Sequence, residues 1–299
     1  MVTDRSGDGT RPGSTGRVPS GSELPNGSPA ESGDTPLLRL RGISKSFGPV
    51  QALTDINLDI PAGQVTALVG DNGAGKSTLI KTIAGIWQPT SGELIWNGRP
   101  VHIHSPKAAT ELGIAAVYQD LALCDNLDIV QNMLLGHEAE HFGLLDEVGM
   151  ELTAKQTLQD LRVTTVRSIR QLVGSLSGGQ RQAVAVAKAV MLEAKLVIMD
   201  EPTAALGVSQ TELVLSLIER LKNTGHSVLL ISHNLNDVFQ VADRIAVVYL
   251  GRLAAVGPAS EFDRQSAVDL MTTGASTRLG NGTGAGRADA SGVSTGAEG

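Results

Sequence analysis

One run of eight residues, GDNGAGKS at positions 70–77, constrains the fold of this chain more than any other feature. It fits the pattern G-x-x-x-x-G-K-[ST], in which the backbone N–H groups of a glycine-rich loop surround phosphate oxygens. The apolar residues 64–69 before it predict a buried strand, and residues 77–86 after it predict a helix. This order places phosphates at a helix N-terminus and favours a phosphate loop over a merely structural turn.

The residue types within this run indicate separate tasks. Lys76 is expected to reach the β and γ oxygens of a nucleotide, and the Ser77 hydroxyl to bind magnesium. A nucleotide and Mg²⁺ are therefore the predicted ligands, and the run LSGGQ about a hundred residues later predicts that the nucleotide is ATP. The predicted nucleotide-binding residues are the eight of the run, Gly70, Asp71, Asn72, Gly73, Ala74, Gly75, Lys76 and Ser77, and Thr78 after it.

Composition predicts one folded region between two disordered tails. Residues 1–35 and 273–299 are poor in apolar side chains, which leaves about residues 36–272 of the 299 for a core. No apolar run approaches the roughly 20 residues that cross a bilayer, and no secretion signal is recognisable, so a cytosolic chain is expected. A formal charge of −7 argues against a broad nucleic-acid surface, although a local basic patch stays open. The lone Cys124 excludes an internal disulfide and is expected to fill apolar space.

The remaining elements alternate between strand and helix. Strands are predicted near residues 37–40, 56–60, 93–96, 114–118, 195–199 and 227–231, with a terminal hairpin of 245–249 and 253–256. Ser105-Pro106 opens a predicted helix that Gly113 closes, and Asn97-Gly98 predicts a hairpin turn. This alternation predicts an α/β core with mostly parallel strands.

A helical insertion is predicted between the strands, at about residues 121–180. The pattern is helical from about residue 121 to 170, and Thr153-x-x-Gln156 fits a capping box within it.

A helix start outside the insertion is predicted at Ser209-x-x-Glu212. An apolar face follows it, and Gly225 is predicted to end this helix.

Two carboxylates follow the apolar strand at residues 195–199. Phosphoryl transfer needs a metal ligand and a group that orients the attacking water, so Asp200 is predicted to hold magnesium and Glu201 to act as general base. Adjacent acids after a strand also suit a helix N-cap, but the phosphate loop in the same chain favours the catalytic interpretation.

A third motif, LSGGQ at residues 176–180, completes an ordered set. The set resembles the nucleotide-binding subunit of ABC transporters over essentially the whole folded region. The resemblance implies an α/β P-loop NTPase cassette with a RecA-like, mostly parallel core, an antiparallel β subdomain and a helical subdomain. It further implies that two cassettes enclose two ATP molecules, with Ser177, Gly178, Gly179 and Gln180 contacting the nucleotide of the opposite subunit.

Three further residues match the family pattern and are assigned through the resemblance. Phe47 matches the aromatic residue that stacks on adenine, and Gln119 matches the glutamine that links metal and water to the membrane partner. His233 matches the histidine that contacts the γ-phosphate. Taken alone, each has an ordinary alternative as a core aromatic, a solvated loop residue or a turn histidine.

Four runs near these motifs, at residues 47–53, 118–123, 125–127 and 204–207, resemble the ATPase subunits of bacterial monosaccharide importers. That likeness implies a second cassette, the same or different, a membrane permease, and indirectly an extracytoplasmic sugar-binding protein, at the cytoplasmic face of the membrane. Gly207 stands where many family members have an aspartate, which weakens any expectation of communication between the two ATP sites. A soluble ABC ATPase without a transport partner and an export cassette are the alternatives.

One competing pattern falls in the predicted insertion. The run HEAEH at residues 137–141 satisfies H-E-x-x-H, in which two histidines one helical turn apart bind zinc. Neighbouring glycines and the lack of a third ligand favour a solvated helix end instead.

Overall fold

The computed structural model describes residues 35–138, 140–141, 144–163 and 165–275. Its strands are, in chain order, β1 (Leu38–Phe47), β2 (Val50–Ile60), β3 (Val65–Gly70), β4 (Ser91–Trp96), β5 (Arg99–Val101), β6 (Ile114–Val117), β7 (Glu140–His141), β8 (Leu144–Leu145), β9 (Leu196–Asp200), β10 (Ser227–Ile231), β11 (Arg244–Tyr249) and β12 (Arg252–Pro258). Its helices are α1 (Lys76–Ile83), α2 (Pro106–Glu111), α3 (Ile129–Leu134), α4 (Glu147–Asp160), α5 (Gly178–Met191), α6 (Val208–Asn223), α7 (Leu235–Val241) and α8 (Arg264–Thr273), with short 3₁₀ turns at Val173–Ser175 and Ala259–Glu261.

The central sheet of the described residues has the strand order β12-β11-β3-β10-β9-β6. Neighbours from β11 to β6 are parallel, and β12 joins as the antiparallel arm of the terminal hairpin. The predicted α/β fold with mostly parallel strands is confirmed. Because parallel strands run the same way, the chain leaves β3, β6, β9 and β10 at one edge, where the candidate site lies.

Alternate residues of the central strands pack on opposite faces. On one face, Leu68, Ile198 and Leu229 contact α1, α2 and a second sheet of order β2-β1-β4-β5, which is antiparallel. On the other face, Val65, Val197 and Met199 and their neighbours pack against α3, α4, α5 and α6. A smaller cluster covers β11 with α7 and α8. Both faces of the sheet are therefore buried, as continuous apolar strands require.

Two predicted helix starts are wrong. Thr153 lies inside α4, where its hydroxyl donates to the carbonyl of Gly149, and the helix is capped earlier by Asp146. In α6, Ser209 is the second helical residue, and Gly207 occupies the cap position without a side-chain hydrogen bond. In α4 the Thr153 hydroxyl satisfies a carbonyl of the preceding turn instead, and in α6 the helix already begins at Val208, before Ser209.

The predicted helical insertion contains more than helices. Between α3 and α4 the short strands β7 and β8 pair antiparallel, so Glu140 and His141 are not helical. The H-E-x-x-H pattern needs a helix to bring its two histidines together, and this backbone does not provide one.

The chain termini lie largely outside the described residues. The predicted tails correspond to residues that the structure does not describe, apart from Thr35 and residues 273–275. Helix α8 ends at Thr273, with Gly274 in the left-handed conformation after it. Among the described helices, none is both long and apolar enough to pass through a bilayer.

Candidate nucleotide site

The phosphate loop connects the buried strand β3 to α1. Lys76 begins the helix and is 7 % exposed, and its Nζ donates to the carbonyls of Gly70 (2.8 Å) and Asp71 (3.1 Å). Ser77 follows on the exposed side of the first turn. The first N–H groups of α1 have no carbonyl partner within the helix, which makes this end attractive to anions.

Gly75 shows why this loop needs glycine. Its φ is +109°, a conformation that L side chains rarely adopt. A Cβ placed there would lie 2.9 Å from the carbonyl oxygen of Ala52 and 3.0 Å from Leu53 Cδ2. The loop therefore packs directly on the backbone of β2, and any side chain at this position would displace it.

Asp200 ends β9 on the same edge of the sheet, with Glu201 after it. The Asp200 carboxylate is half-buried, and no described residue donates a hydrogen bond to it. Burial and the neighbouring Glu201 raise its pKa above the ordinary value, while Lys76 and Lys81 oppose that rise. Tyr118, after β6, also has a raised pKa because of burial and the Asp200 charge.

Glu201 adopts an uncommon backbone conformation. Its φ is +52°, and its N–H donates to the carbonyl of Ile231, 2.9 Å away on β10. The side chain is 16 % exposed, and its Oε2 lies 2.7 Å from Nδ1 of His233, which is 63 % exposed. With Nδ1 protonated, the imidazole donates this bond and leaves Nε2 facing away from the carboxylate. The left-handed turn thus brings Glu201 and His233 together from neighbouring strands.

Gln119 follows the strand next to β9 in the central sheet. It follows β6, whose Val117 is in register with Met199 of β9, and its side chain is exposed. A serine hydroxyl, a carboxylate and an amide oxygen, from Ser77, Asp200 and Gln119, are the hard donors that Mg²⁺ prefers. The donor set at this edge therefore fits magnesium.

The LSGGQ run forms the start of α5. Ser177 caps the helix reciprocally with Gln180, whose Nε2 also donates to the carbonyl of Thr165 (2.6 Å). Gly178 and Gly179 pack against the start of α6, so that a Cβ on Gly178 would lie 2.7 Å from a methyl of Leu206. Within the described part of the chain, no hydrogen bond joins this run to the phosphate loop.

Hydrogen bonds tie the approach to α5 to the segment after Gln119. The N–H groups of Val173 and Gly174 donate to the carbonyls of Leu127 and Asp125, each at 3.0 Å. Arg181, on the first turn of α5, reaches the Asp125 carboxylate at 3.4 Å. The two segments therefore form one hydrogen-bonded unit.

A family model described as ABC transporter matches residues 53–204. The fructose import ATP-binding protein FrcA of Rhizobium meliloti is 45 % identical over 244 residues, which cover 79 % of this chain and 94 % of that protein. The chain belongs to the ABC transporter family. It therefore has the family's ATPase activity, coupled to transport.

Other relatives agree with this assignment. The xylose/arabinose import ATP-binding protein XylG of Sulfolobus acidocaldarius is 44 % identical, with 79 % of this chain and 94 % of that protein covered. The ribose import ATP-binding protein RbsA 1 of Agrobacterium fabrum is 39 % identical, and the chain spans 47 % of its length. A solved ATP-binding cassette of an ABC transporter in its ADP conformation superposes with a TM-score of 0.69 at 26 % identity, covering 80 % of this chain and 96 % of that one.

Within this ABC cassette fold, Phe47 ends β1 and is 39 % exposed. Its ring contacts Trp87, and Lys45 and Lys81 lie beside the two rings. Trp87 and these two lysines were not predicted from the sequence. The sequence shows an aromatic residue, Trp87, shortly after the phosphate-loop helix. This signal is weak, because the ring that Trp87 contacts is 40 positions away in the chain.

Proposed function

We propose that this chain is the ATP-hydrolysing motor subunit of an ABC importer for a monosaccharide. One observation carries the hydrolysis in this proposal: Glu201 is held against His233 beside Asp200, on the sheet edge that also bears the Lys76 loop. This arrangement provides a cation for phosphate, an acidic metal ligand and a carboxylate base at one place.

Metal binding is assigned to Ser77, Gln119 and Asp200. Mg²⁺, when bound, neutralises charge on the β and γ phosphates. The Asp200 carboxylate has no donor of its own in the described protein and has a raised pKa, so a cation beside it would favour its charged form. The Lys76 ammonium donates to the carbonyls of Gly70 and Asp71 at the phosphate loop, and we propose that it binds the β and γ phosphate oxygens.

Hydrolysis is assigned to Glu201, His233 and Gln119. Glu201 accepts a proton from the attacking water as general base, and Gln119 orients that water. With protons on both ring nitrogens, His233 keeps its Nδ1 bond to Glu201 and donates from Nε2 to the γ-phosphate. Phe47 provides the surface on which adenine stacks.

The start of α5 is assigned to the nucleotide of a second cassette. Ser177, Gly178 and Gly179 are at a helix N-terminus and make no hydrogen bond to the phosphate loop of their own described chain. Two cassettes arranged head to tail would place each α5 against the γ-phosphate of the other. The second cassette is another copy of this chain or a different cassette.

The substrate class follows from the relatives, whose names concern fructose, xylose/arabinose and ribose import. We therefore propose a monosaccharide as cargo, a membrane permease as direct partner and an extracytoplasmic sugar-binding protein as indirect partner. The chain would act at the cytoplasmic face of the membrane.

Purified variants test the ATPase assignment. We expect Lys76→Ala to lose nucleotide binding, and Glu201→Gln to bind ATP but to hydrolyse it about 10²–10⁴-fold more slowly. Lys107→Ala, an exposed lysine on α2, is the matched control and should keep wild-type turnover. Undiminished hydrolysis by Glu201→Gln would remove the proposed general base.

The same Glu201→Gln protein tests the partners. With ATP and Mg²⁺ it should sediment as a dimer, and from gently solubilised native membranes it should co-purify with a polytopic permease. The cargo is then the labelled pentose or hexose that wild-type cells take up and cells carrying Glu201→Gln do not. Recovery with ribosomes or DNA-processing proteins would instead favour a soluble ABC ATPase.

A further inference from the structure

The exposed ring of Phe47 is held by a second aromatic residue. The ring centroids of Phe47 and Trp87 are 4.7 Å apart and the ring planes are inclined by 73°, an edge-to-face pair. Phe47 is the last residue of β1, and Trp87 lies in the connection between α1 and β4. The pair therefore joins the antiparallel sheet to the chain that leaves the phosphate-loop helix.

An ammonium group lies over each ring. Lys45 Nζ is 5.0 Å from the Phe47 centroid, and Lys81 Nζ is 4.9 Å from the Trp87 centroid, both within cation–π range. Lys45 Nζ is also fixed by a hydrogen bond to the carbonyl of Gln88 (2.8 Å). Four side chains, two cationic and two aromatic, thus form a continuous cluster at the end of β1.

The backbone connects this cluster to α1. The N–H groups of Ile86 and Trp87 both donate to the carbonyl of Lys81, at 2.9 and 3.1 Å, in the last turn of the helix. The first residue of the same helix is Lys76. The position of Trp87 is therefore set by the helix that begins at the phosphate loop.

We propose that Trp87 is a positioning residue for nucleotide binding, which keeps the Phe47 ring where a purine can stack on it. The inference rests on the proposed function, in which Phe47 receives the base. Through Trp87, one helix orients both the phosphate end and the base end of the site. Stacking on the Phe47 ring grows with the area of the base, so this end of the site favours purines over pyrimidines.

Kinetics of Trp87 variants test the inference. We expect Trp87→Leu to raise the KM for ATP by about three- to tenfold, the factor that loss of one aromatic pair implies. The kcat should stay within about twofold, because the groups assigned to hydrolysis follow β6, β9 and β10 and none of these described residues contacts Trp87. Trp87→Phe keeps an aromatic ring and should restore most of the affinity. The preference for ATP over CTP should shrink in Trp87→Leu.

Inorganic tripolyphosphate separates a local effect from a general defect. As a competitive inhibitor without a base, it should bind wild type and Trp87→Leu equally well. A wild-type KM for ATP in Trp87→Leu would overturn the inference, as would an equal loss of tripolyphosphate affinity. Absence of ATPase activity in the wild-type protein would overturn the proposed function instead.

Fluorescence gives a second readout that does not depend on turnover. The sequence contains two tryptophans, and the other, Trp96, is 6 % exposed in β4. In a Trp96→Phe background, ATP should change the emission of Trp87 and tripolyphosphate should not. Adding Phe47→Leu should abolish the ATP response, whereas an equal response to both ligands would contradict the inference.

Discussion

Asn132 holds the turn at residues 124–128, which leads into α3. Its side chain is buried, at 1 % exposure, within that apolar helix. Oδ1 accepts from the N–H of Cys124 (2.7 Å), and Nδ2 contacts the carbonyls of Cys124 (3.0 Å), Leu127 (3.2 Å) and Asp128 (3.0 Å). The Asn132 amide thus bonds one N–H and three carbonyls of this turn, and its removal should destabilise the turn.

The bonds around Asn132 set the size of the expected effect. In Asn132→Leu, each of the three carbonyls keeps a backbone donor, from Leu127, Val173 and residue 132 itself. The N–H of Cys124 loses its acceptor, which costs about 1–3 kcal/mol when water cannot replace it. The lost amide donors add about 0.5–1.5 kcal/mol each. Because Cys124 is only half-buried, we expect the free energy of unfolding to fall by about 2–3 kcal/mol.

Urea unfolding followed by circular dichroism measures this change. Asn223→Leu is the matched control, because Asn223 ends α6 with an exposed side chain and should shift stability by no more than about 0.5 kcal/mol. Equal stability of Asn132→Leu and the control would refute the assignment of Asn132 as the organiser of this turn.

Asn132→Asp should make the free energy of unfolding depend on pH. The carboxylate would keep an acceptor for Cys124 but would face carbonyl oxygens where the amide donated, so its pKa in the folded state should be raised. A raised pKa means that the folded state holds the proton more tightly than the unfolded state. The variant should therefore lose stability relative to wild type as the pH rises above about 4, the ordinary aspartate pKa.

Three further outcomes are expected. Asp200→Asn should abolish Mg²⁺-dependent turnover but raise the Tm at pH 7, because the raised pKa of Asp200 means that its charged carboxylate opposes folding. In thermal scans this gain in Tm should shrink as the pH is lowered towards about 4, the ordinary aspartate pKa. Gly75→Ala should lower the free energy of unfolding by about 1–3 kcal/mol because of its φ of +109°, and should weaken ATP binding in a filter assay. Replacing His137 and His141 together should leave turnover unchanged with or without added zinc; a zinc-dependent loss would revive the H-E-x-x-H interpretation.

The sequence predicted the parts of this structure that depend on local pattern. Strand, loop and helix around Lys76 follow from apolar periodicity and a glycine-rich motif that are contiguous in the chain. The first residue of a helix was harder to predict, because several nearby polar residues are each able to cap its N-terminus. Asp128 forms a capping box with Gln131, whereas the box predicted at Thr153 falls inside a helix.

Contacts between distant residues required the fold. His233 and Glu201 are 32 positions apart and meet only because β9 and β10 are neighbours in register. The left-handed backbone of Glu201 leaves no sequence signal, since glutamate rarely adopts it. The contact between Phe47 and Trp87 depends in the same way on how the antiparallel sheet packs against α1.

Gly207 replaces the aspartate of many family members without requiring a backbone conformation that only glycine adopts. Its φ of −73° is accessible to any residue, and nothing lies within 4 Å of the place where a Cβ would be. It caps α6 without a side-chain bond, and aspartate is a better cap than glycine by a few tenths of a kcal/mol. Gly207→Asp should therefore fold with equal or slightly greater stability in urea unfolding, and the dependence of its turnover on ATP concentration then measures what the aspartate adds to communication between two sites. A loss of stability above about 1 kcal/mol would show that glycine is needed here for the backbone.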